Sequence, residues 1–155
     1  MKSNSTAKEQ SLSPQPATRA KSQIVIGADQ LDERVLTALH AASDKKAFDV
    51  VVLDLREIAS FTDFFVITTG ANERQVQAIS DEVYESLKKT GSTAARVEGY
   101  KSAEWILLDY GDFIVHVFEQ KARQFYDLER LWRESKRVEL PKELFVDSGS
   151  LRRES

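Results

Sequence analysis

The chain has 155 residues, contains no cysteine and carries a formal net charge of −3. This length suits one domain, or one domain with tails, and the lack of cysteine excludes both a disulfide framework and a thiolate metal site. No apolar run approaches the roughly 20 residues of a membrane-spanning helix, and the first residues do not resemble a secretory signal peptide, so we expect no membrane association.

The charge is distributed unevenly along the chain. Residues 1–23 have four basic residues against one acidic residue, whereas residues 24–146 have 16 basic against 22 acidic residues, a net charge of −6. Such an acidic body repels phosphate at long range, so nucleic acid is not expected as the primary partner. A basic protein surface is a better match.

The composition also divides the chain into a domain and two tails. Residues 1–23 are rich in Ser, Thr, Ala, Gln, Lys and Pro without apolar periodicity, which predicts a disordered tail. An organellar transit peptide is the alternative for this segment, although Arg is scarce and no amphipathic helix is visible. We expect one domain over 24–140, followed after Pro141 by a polar C-terminal tail, 141–155.

The first half of the domain reads as helix, two strands and helix. Helical spacing of apolar residues follows Asp29, a candidate N-cap, and fades at residues 43–46. The runs 49–55 and 62–69 predict strands, the second closed by Gly70. Asn72 then offers the N-cap of a second helix, with Gln75 in a variant of the capping box, and this helix should end near residues 88–91.

The second half predicts three more strands and a last helix. Residues 95–98 form a weak strand, a hairpin follows over 105–118, and helical spacing covers 122–132. The order α-β-β-α-β-β-β-α predicts an α/β fold in which a mixed five-stranded sheet is packed with helices.

The hairpin is the most informative stretch. Both faces of its two strands are mostly apolar, so we expect the hairpin to lie inside a sheet that is covered on both sides. A two-residue loop of Tyr110 and Gly111 would place Trp105 opposite His116, with Gly111 supplying a positive φ. We expect His116 to be a satisfied or partly exposed histidine of the sheet and not a ligand or base.

Most catalytic chemistry lacks its residues. His40 and His116 are far apart, the chain has no G-x-S-x-G motif, and the residues around Gly70 match no phosphate-binding loop. Two carboxylates, Asp109 and Asp112, leave open a nucleotidyltransferase that uses Mg²⁺, but two residues separate them instead of one, and they flank a turn. We therefore expect no catalytic residue, metal or cofactor, and keep a Mg-dependent nucleotidyltransferase as the alternative.

Two interpretations remain open for the polar residues of the hairpin. Asp109 and Asp112 are either turn formers or the acidic part of a protein-binding patch, and Trp105 is either core or the aromatic anchor of that patch. The acids would select a partner that carries Lys or Arg.

The same residues resemble the ribosomal silencing factor, or Iojap, family over about residues 30–135. The stretches that carry the resemblance are Asp63–Ile67 with Gly70 and Gln75-Val76, Glu98-Gly99, Trp105–Asp112 with His116, and Ala122–Trp132. The patterns W-x-L-x-D-x-G-D and A-R-x-F-Y-x-L-E-x-L-W together are specific to that family.

The resemblance implies a function and a site. Such a factor is non-enzymatic, has a fold like a truncated nucleotidyltransferase, and docks on the fourteenth protein of the large ribosomal subunit. There it sterically blocks joining of the small subunit and damps translation when nutrients are short. The implied partner-binding residues are Trp105, Ile106, Asp109, Tyr110 and Asp112. A homodimer is also implied, and we expect a cytoplasmic protein, with organellar stroma or matrix as the alternative.

Overall fold

A computed structural model describes residues 25–27 and 31–145 of the chain. The helices and strands of this part are, in order, β1 (Val25–Ile26), α1 (Glu33–Asp44), β2 (Phe48–Asp54), β3 (Phe64–Gly70), α2 (Glu73–Lys89), β4 (Arg96–Glu98), β5 (Trp105–Asp109), β6 (Phe113–Glu119), α3 (Gln120–Tyr126), α4 (Leu128–Leu131) and β7 (Lys136–Val138). No helix in the described ranges is long and apolar enough to cross a membrane.

The described strands form one mixed sheet in the order β1-β7-β2-β3-β6-β5-β4. β3 runs parallel to β6 and β1 parallel to β7, and the other neighbours are antiparallel. The α/β class is confirmed, and the five predicted strands lie side by side as β2-β3-β6-β5-β4. Five strands is too few, however, because β7 and β1 extend the sheet beyond β2. β7 includes Lys136 and Arg137 and so lacks the apolar run that marks the longer strands.

The two faces of the sheet are covered differently. α1 and α2 cover one side, which we call the helix face, and α3 and α4 pack on the other, which we call the second face. β6 is buried on both faces, as predicted for the hairpin, whereas β5 alternates between half-buried and buried residues. The hairpin is therefore enclosed on both sides only along its second strand.

The start of α1 ties the helix to the tip of the hairpin. The carboxylate of Asp32 accepts from the backbone N–H of Arg34 and caps the helix, while Asp29, the predicted N-cap, lies outside the described residues. The Arg34 guanidinium binds Asp32 at 2.6 Å and Asp112 at 2.8 Å and lies over the Phe113 ring. Its hydrogen bond holds the pKa of Asp32 below the usual range.

α2 begins and ends as the sequence predicts. Asn72 accepts from the Gln75 backbone N–H at 2.9 Å, and the helix is capped at its C-terminus by Thr90 after two lysines. The Gln75 side chain accepts from the Ala71 N–H and donates to the carbonyls of Lys45 and Lys46. Gln75 thus also fastens the segment that follows α1 to the start of α2.

The last predicted helix is two helices. Asp127 adopts a left-handed conformation, with φ of 46°, and separates α3 from α4. A single helix over 122–132 is therefore wrong, since a left-handed residue ends the α-helical hydrogen-bond pattern. Packing also continues past the domain boundary predicted at residue 140, because Leu144 and Phe145 contact the core of the helix face.

Candidate functional site

The hairpin turn is built differently from the prediction. Asp109 pairs with Ile114, and Tyr110 donates its backbone N–H to the Phe113 carbonyl, so Gly111 and Asp112 are the loop. Gly111 has a φ of +85°, which supplies the positive φ at the first loop position. The predicted register is wrong by two residues, because it placed glycine at the second position. A shift of two residues leaves every side chain on the same face.

Trp105 lies half-buried on the second face, at the start of β5. Its indole stacks on Phe118, with ring centroids 4.9 Å apart, and contacts Tyr126 of α3 at 4.8 Å. The indole Nε1–H donates to Nδ1 of His116 at 3.0 Å. Trp105 is thus neither pure core nor a free surface side chain, since one side is packed and the rest is open to solvent.

His116 lies in the middle of β6 and is 3% exposed. It is a sheet histidine, as expected, but it is buried and only its Nδ1 has a hydrogen-bond partner. Nε2 has none within the described residues, and the ring meets Phe65 edge-on with centroids 4.5 Å apart. Burial lowers the pKa of His116 to about 3, so the imidazole is neutral near pH 7.

The two carboxylates of the hairpin are each held by an arginine of the same chain. Asp109 accepts from the backbone N–H of Gly111 at 2.9 Å and pairs with Arg96 at 3.2 Å. Asp112 is 66% exposed and pairs with Arg34. Asp109 therefore acts as a turn former, and the two acids bind different arginines instead of converging on one point.

Two of the proposed contact residues face the core. Ile106 is fully buried against the helix face, and Tyr110 is 9% exposed and stacked on Phe113. The Tyr110 hydroxyl has no partner within the described residues, and burial raises the pKa of Tyr110 to about 12. Ile106 points under the helices because alternate residues of β5 do so, and Tyr110, just after β5, is packed into the same cluster. They support the hairpin from behind.

α3 and α4 add apolar residues that were not among the predicted site residues. Phe125 is 80% exposed and Leu131 is 75% exposed, although helical spacing predicted both on a packed stripe. Tyr126, also exposed, joins Phe125 to Trp105 through ring contacts of 5.0 and 4.8 Å. The signal available in the sequence was the A-R-x-F-Y pattern itself.

Arg123 fixes these helices on the sheet. Its buried guanidinium donates to the Asp49 carbonyl and to the Thr69 hydroxyl, and it pairs with Glu129 across the Asp127 kink. A bidentate arginine bound at several points is a rigid fastening. Tyr126 is therefore held at a fixed position relative to Trp105.

The corner after β3 is poorly suited to phosphate. A cleft of about 570 Å³ lies there between the start of α2 and the end of β6, and it includes Glu73 and Glu119 besides Arg74. Two of the N–H groups at the corner are already bound, those of Ala71 and Gln75. Residues 25–27 and 31–145 contain no group of three or more His, Asp or Glu residues placed to hold a metal ion.

Two solved structures illustrate where the fold occurs elsewhere. A crystal structure of a protein from Bacillus halodurans is 44% identical, with a TM-score of 0.63 over 70% of this chain and 98% of that chain. A protein from Chromobacterium violaceum is 35% identical, with a TM-score of 0.64 over 70% of this chain and 88% of that chain.

A family model described as "Ribosomal silencing factor during starvation" matches residues 28–154. The chain belongs to the ribosomal silencing factor family. "Ribosomal silencing factor RsfS" of Halalkalibacterium halodurans is 44% identical over 108 residues, which are 70% of this chain and 92% of that protein. "Protein Iojap, chloroplastic" of Zea mays is 39% identical over 101 residues, 65% of this chain and 44% of that protein.

Membership of this family confirms the resemblance drawn from the hairpin and from residues 122–132. Ribosomal silencing factors are non-enzymatic, so the chain is not the nucleotidyltransferase kept as an alternative. The strand-glycine-helix corner and the two aspartates that suggested such an enzyme have structural uses here, as a tight corner and as arginine-bound turn residues.

Proposed function

We propose that this ribosomal silencing factor binds the large ribosomal subunit through its fourteenth ribosomal protein and sterically blocks joining of the small subunit. The expected result is less translation when nutrients are limiting, in line with the description of the family. The observation that carries the proposal is the open part of the second face, where an aromatic anchor and its neighbours are left without a covering helix.

This surface, which we call the hairpin surface, consists of Trp105, Leu107, Asp109, Phe125 and Tyr126. The three β5 residues are half-buried on the second face, where Tyr126 of α3 contacts Trp105 but leaves it partly open to solvent. Ile106 and Leu108 between them are buried under α1 and α2. Phe125 and Tyr126 extend the apolar area from the α3 side. An aromatic cluster of this kind, rimmed by charged residues, is the composition of a protein-binding hot spot.

The net charge of the whole domain supports a basic partner more strongly than any single acidic residue does. Asp109 and Asp112 are already paired with Arg96 and Arg34, so a partner would have to displace an arginine to gain a new ion pair. The net charge of −6 over residues 24–146 acts at longer range. It favours encounter with a basic ribosomal protein and makes the association rate fall as salt is added.

The proposal includes two points that rest on the family alone. A homodimer remains a prediction of the resemblance. We place the protein in the cytoplasm, with organellar stroma or matrix as the alternative, since the curated relatives include plant proteins named as chloroplastic and mitochondrial.

The test is binding to isolated large subunits by co-sedimentation, followed by a subunit-joining assay. Trp105→Ala should weaken binding by roughly thirtyfold or more, because truncation of a central aromatic anchor costs about 2 kcal/mol or more. Loss of binding should abolish the block to subunit joining in parallel. Circular dichroism and urea unfolding must show that the variant is folded at the temperature used.

Tyr100→Ala is the matched control. Tyr100 is an exposed aromatic residue, but it lies on the α2 side, where its hydroxyl donates to Asp81. This variant should bind like the unaltered protein. Equal binding by Trp105→Ala would remove the hairpin surface from the mechanism, and no binding by the unaltered chain would refute the proposed function itself.

A further inference from the structure

The hydrogen bond between Trp105 and His116 decides which part of the indole a partner can meet. Trp105 Nε1–H donates to His116 Nδ1 at 3.0 Å, so the single hydrogen-bond donor of the indole is used inside the domain. Because Nδ1 accepts, the neutral imidazole must carry its proton on Nε2. What Trp105 leaves open to solvent is therefore the carbon part of the ring.

The same contacts restrict how the indole can move. It packs against the rings of Phe118 and Tyr126, with centroid distances of 4.9 and 4.8 Å, and its N–H is bound to His116, which restricts its rotation. His116 is held in turn by Phe65 and by its place in the fully buried strand β6. An anchor that is ordered before binding loses less side-chain entropy when the partner arrives.

His116 is an unfavourable choice for a residue that only fills the core. It is buried with Nε2 unpartnered within the described residues, and burial of an unsatisfied polar group opposes folding. A phenylalanine of similar size would avoid that cost among the neighbouring rings of Phe65 and Phe118. A buried polar contact makes its surroundings rigid and specific, and departures from an apolar core are expected at functional sites.

We propose that His116 is a positioning residue of the hairpin surface, which locks the Trp105 indole in its binding conformation and leaves an apolar anchor for the partner. The inference rests on the proposed function and names the chemistry of the contact. The partner surface should present aliphatic or aromatic groups at Trp105, with its basic groups at the rim, and it should not offer an acceptor to the indole nitrogen.

Acidity does not disturb this arrangement in the physiological range. Burial keeps the pKa of His116 at about 3, so Nδ1 remains an acceptor at the pH of a cell. The hydrogen bond between Trp105 and His116 therefore persists across this pH range and does not act as a pH switch.

The test compares His116→Phe, which removes the acceptor and keeps a ring, with His116→Asn, whose side-chain oxygen can replace Nδ1. The chain has two tryptophans, so the Trp105 indole resonance can be assigned with Trp132→Phe. In His116→Phe this N–H should shift and exchange faster with solvent, and binding to large subunits should weaken about tenfold. His116→Asn should restore both readouts to within about threefold of the unaltered protein.

Two further variants separate positioning from packing. Ile67→Val removes a methyl group beside His116 on the same face and should lower stability without changing the indole resonance or the affinity. In a Trp105→Phe background, His116→Phe should have no additional effect on binding, since the bond it removes is already absent.

Several outcomes would overturn the inference. Affinity in His116→Phe equal to that of the unaltered protein, despite a shifted indole resonance, would show that the lock is irrelevant to binding. Equal weakening by Ile67→Val would assign the effect to packing. If His116→Phe does not fold, benzothienylalanine at position 105 keeps the indole shape without the N–H, and undiminished affinity there would also refute the inference. In each case Trp105→Ala still reports separately on the proposed function.

Discussion

The two faces of the hairpin differ in solvent exposure although they belong to the same strands. On the helix face, Ile106 and Leu108 are completely excluded from solvent beneath α1 and α2. On the second face, their neighbours Trp105, Leu107 and Asp109 are only half-buried. In this five-residue strand, alternate side chains therefore serve the core or the proposed binding surface, since successive side chains of a strand point to opposite faces.

The largest expected effect is on stability, and it should differ between the adjacent residues Ile106 and Leu107. Ile106→Ala should lower the free energy of unfolding by about 3 kcal/mol, because it leaves a cavity in a fully buried core. Leu107→Ala should cost about 1 kcal/mol, because this side chain already meets water. Urea unfolding measures both.

Binding should show the opposite order. At a temperature where both variants are folded, Ile106→Ala should keep its affinity for large subunits, and Leu107→Ala should weaken it several-fold. A large loss of affinity in folded Ile106→Ala would restore Ile106 as a contact residue and would contradict the division between the faces.

The next largest effect is a loss of stability in acid, which arises from His116 on the second face. His116 has a folded-state pKa of about 3, below the value near 6.5 of an unfolded histidine, so the unfolded chain binds the extra proton first. Stability is therefore full above about pH 6.5 and falls as pH decreases toward 3, by about 2 kcal/mol between about pH 7.5 and 5.

Urea unfolding across this range checks the acid effect. His116→Phe should flatten the profile between about pH 7.5 and 5, and His40→Gln controls for loss of an exposed imidazole. Asp32, whose pKa is lowered by Arg34, adds its own loss of stability only at lower pH. An unchanged profile in His116→Phe would show that His116 is not buried in the neutral form.

The smallest effect should come from the charge of Asp109. Asp109→Asn keeps an oxygen for the Gly111 N–H and removes only the ion pair with the exposed Arg96, so stability should change by less than about 1 kcal/mol. Affinity for large subunits should change by less than about threefold. A loss of tenfold or more would show that the carboxylate binds the partner directly, and the apolar anchor would then share its function with charge.

Much of the architecture follows from local pattern. The apolar runs of β2, β3, β5 and β6, the Asn72 cap and the glycine turn each predicted an element that the structure contains within two residues. These elements are long or strongly marked. The short strands β1 and β7 were missed because two or three residues give no periodicity, and they exist only through pairing with each other and with β2.

The errors near the site have physical causes as well. Asp127 breaks the last helix in a left-handed conformation, which glycine or asparagine would have signalled more clearly. The exposure of Phe125 in α3 could not be read from helical spacing, which predicted one continuous helix over 122–132. Ile106 and Tyr110 entered the predicted site as sequence neighbours of Trp105 and Asp109, whereas the pleat places them under the helices.

The bond between Trp105 and His116 lay beyond sequence reasoning for a different reason. The two residues were predicted as direct cross-strand partners, but Trp105 pairs with Phe118, and the indole reaches His116 diagonally. Such a contact depends on side-chain rotamers, which a register alone does not determine.

The position of β1 in the sheet has a practical consequence for anyone who handles the protein. β1 lies at one edge and β5 is five strands away, a distance of about 24 Å at the usual spacing between strands. A dye or affinity handle joined ahead of Val25 therefore starts on the flank opposite the hairpin surface. Immobilisation from that edge keeps the support away from the strands that carry the hairpin surface, which suits surface-based binding measurements with whole ribosomal subunits.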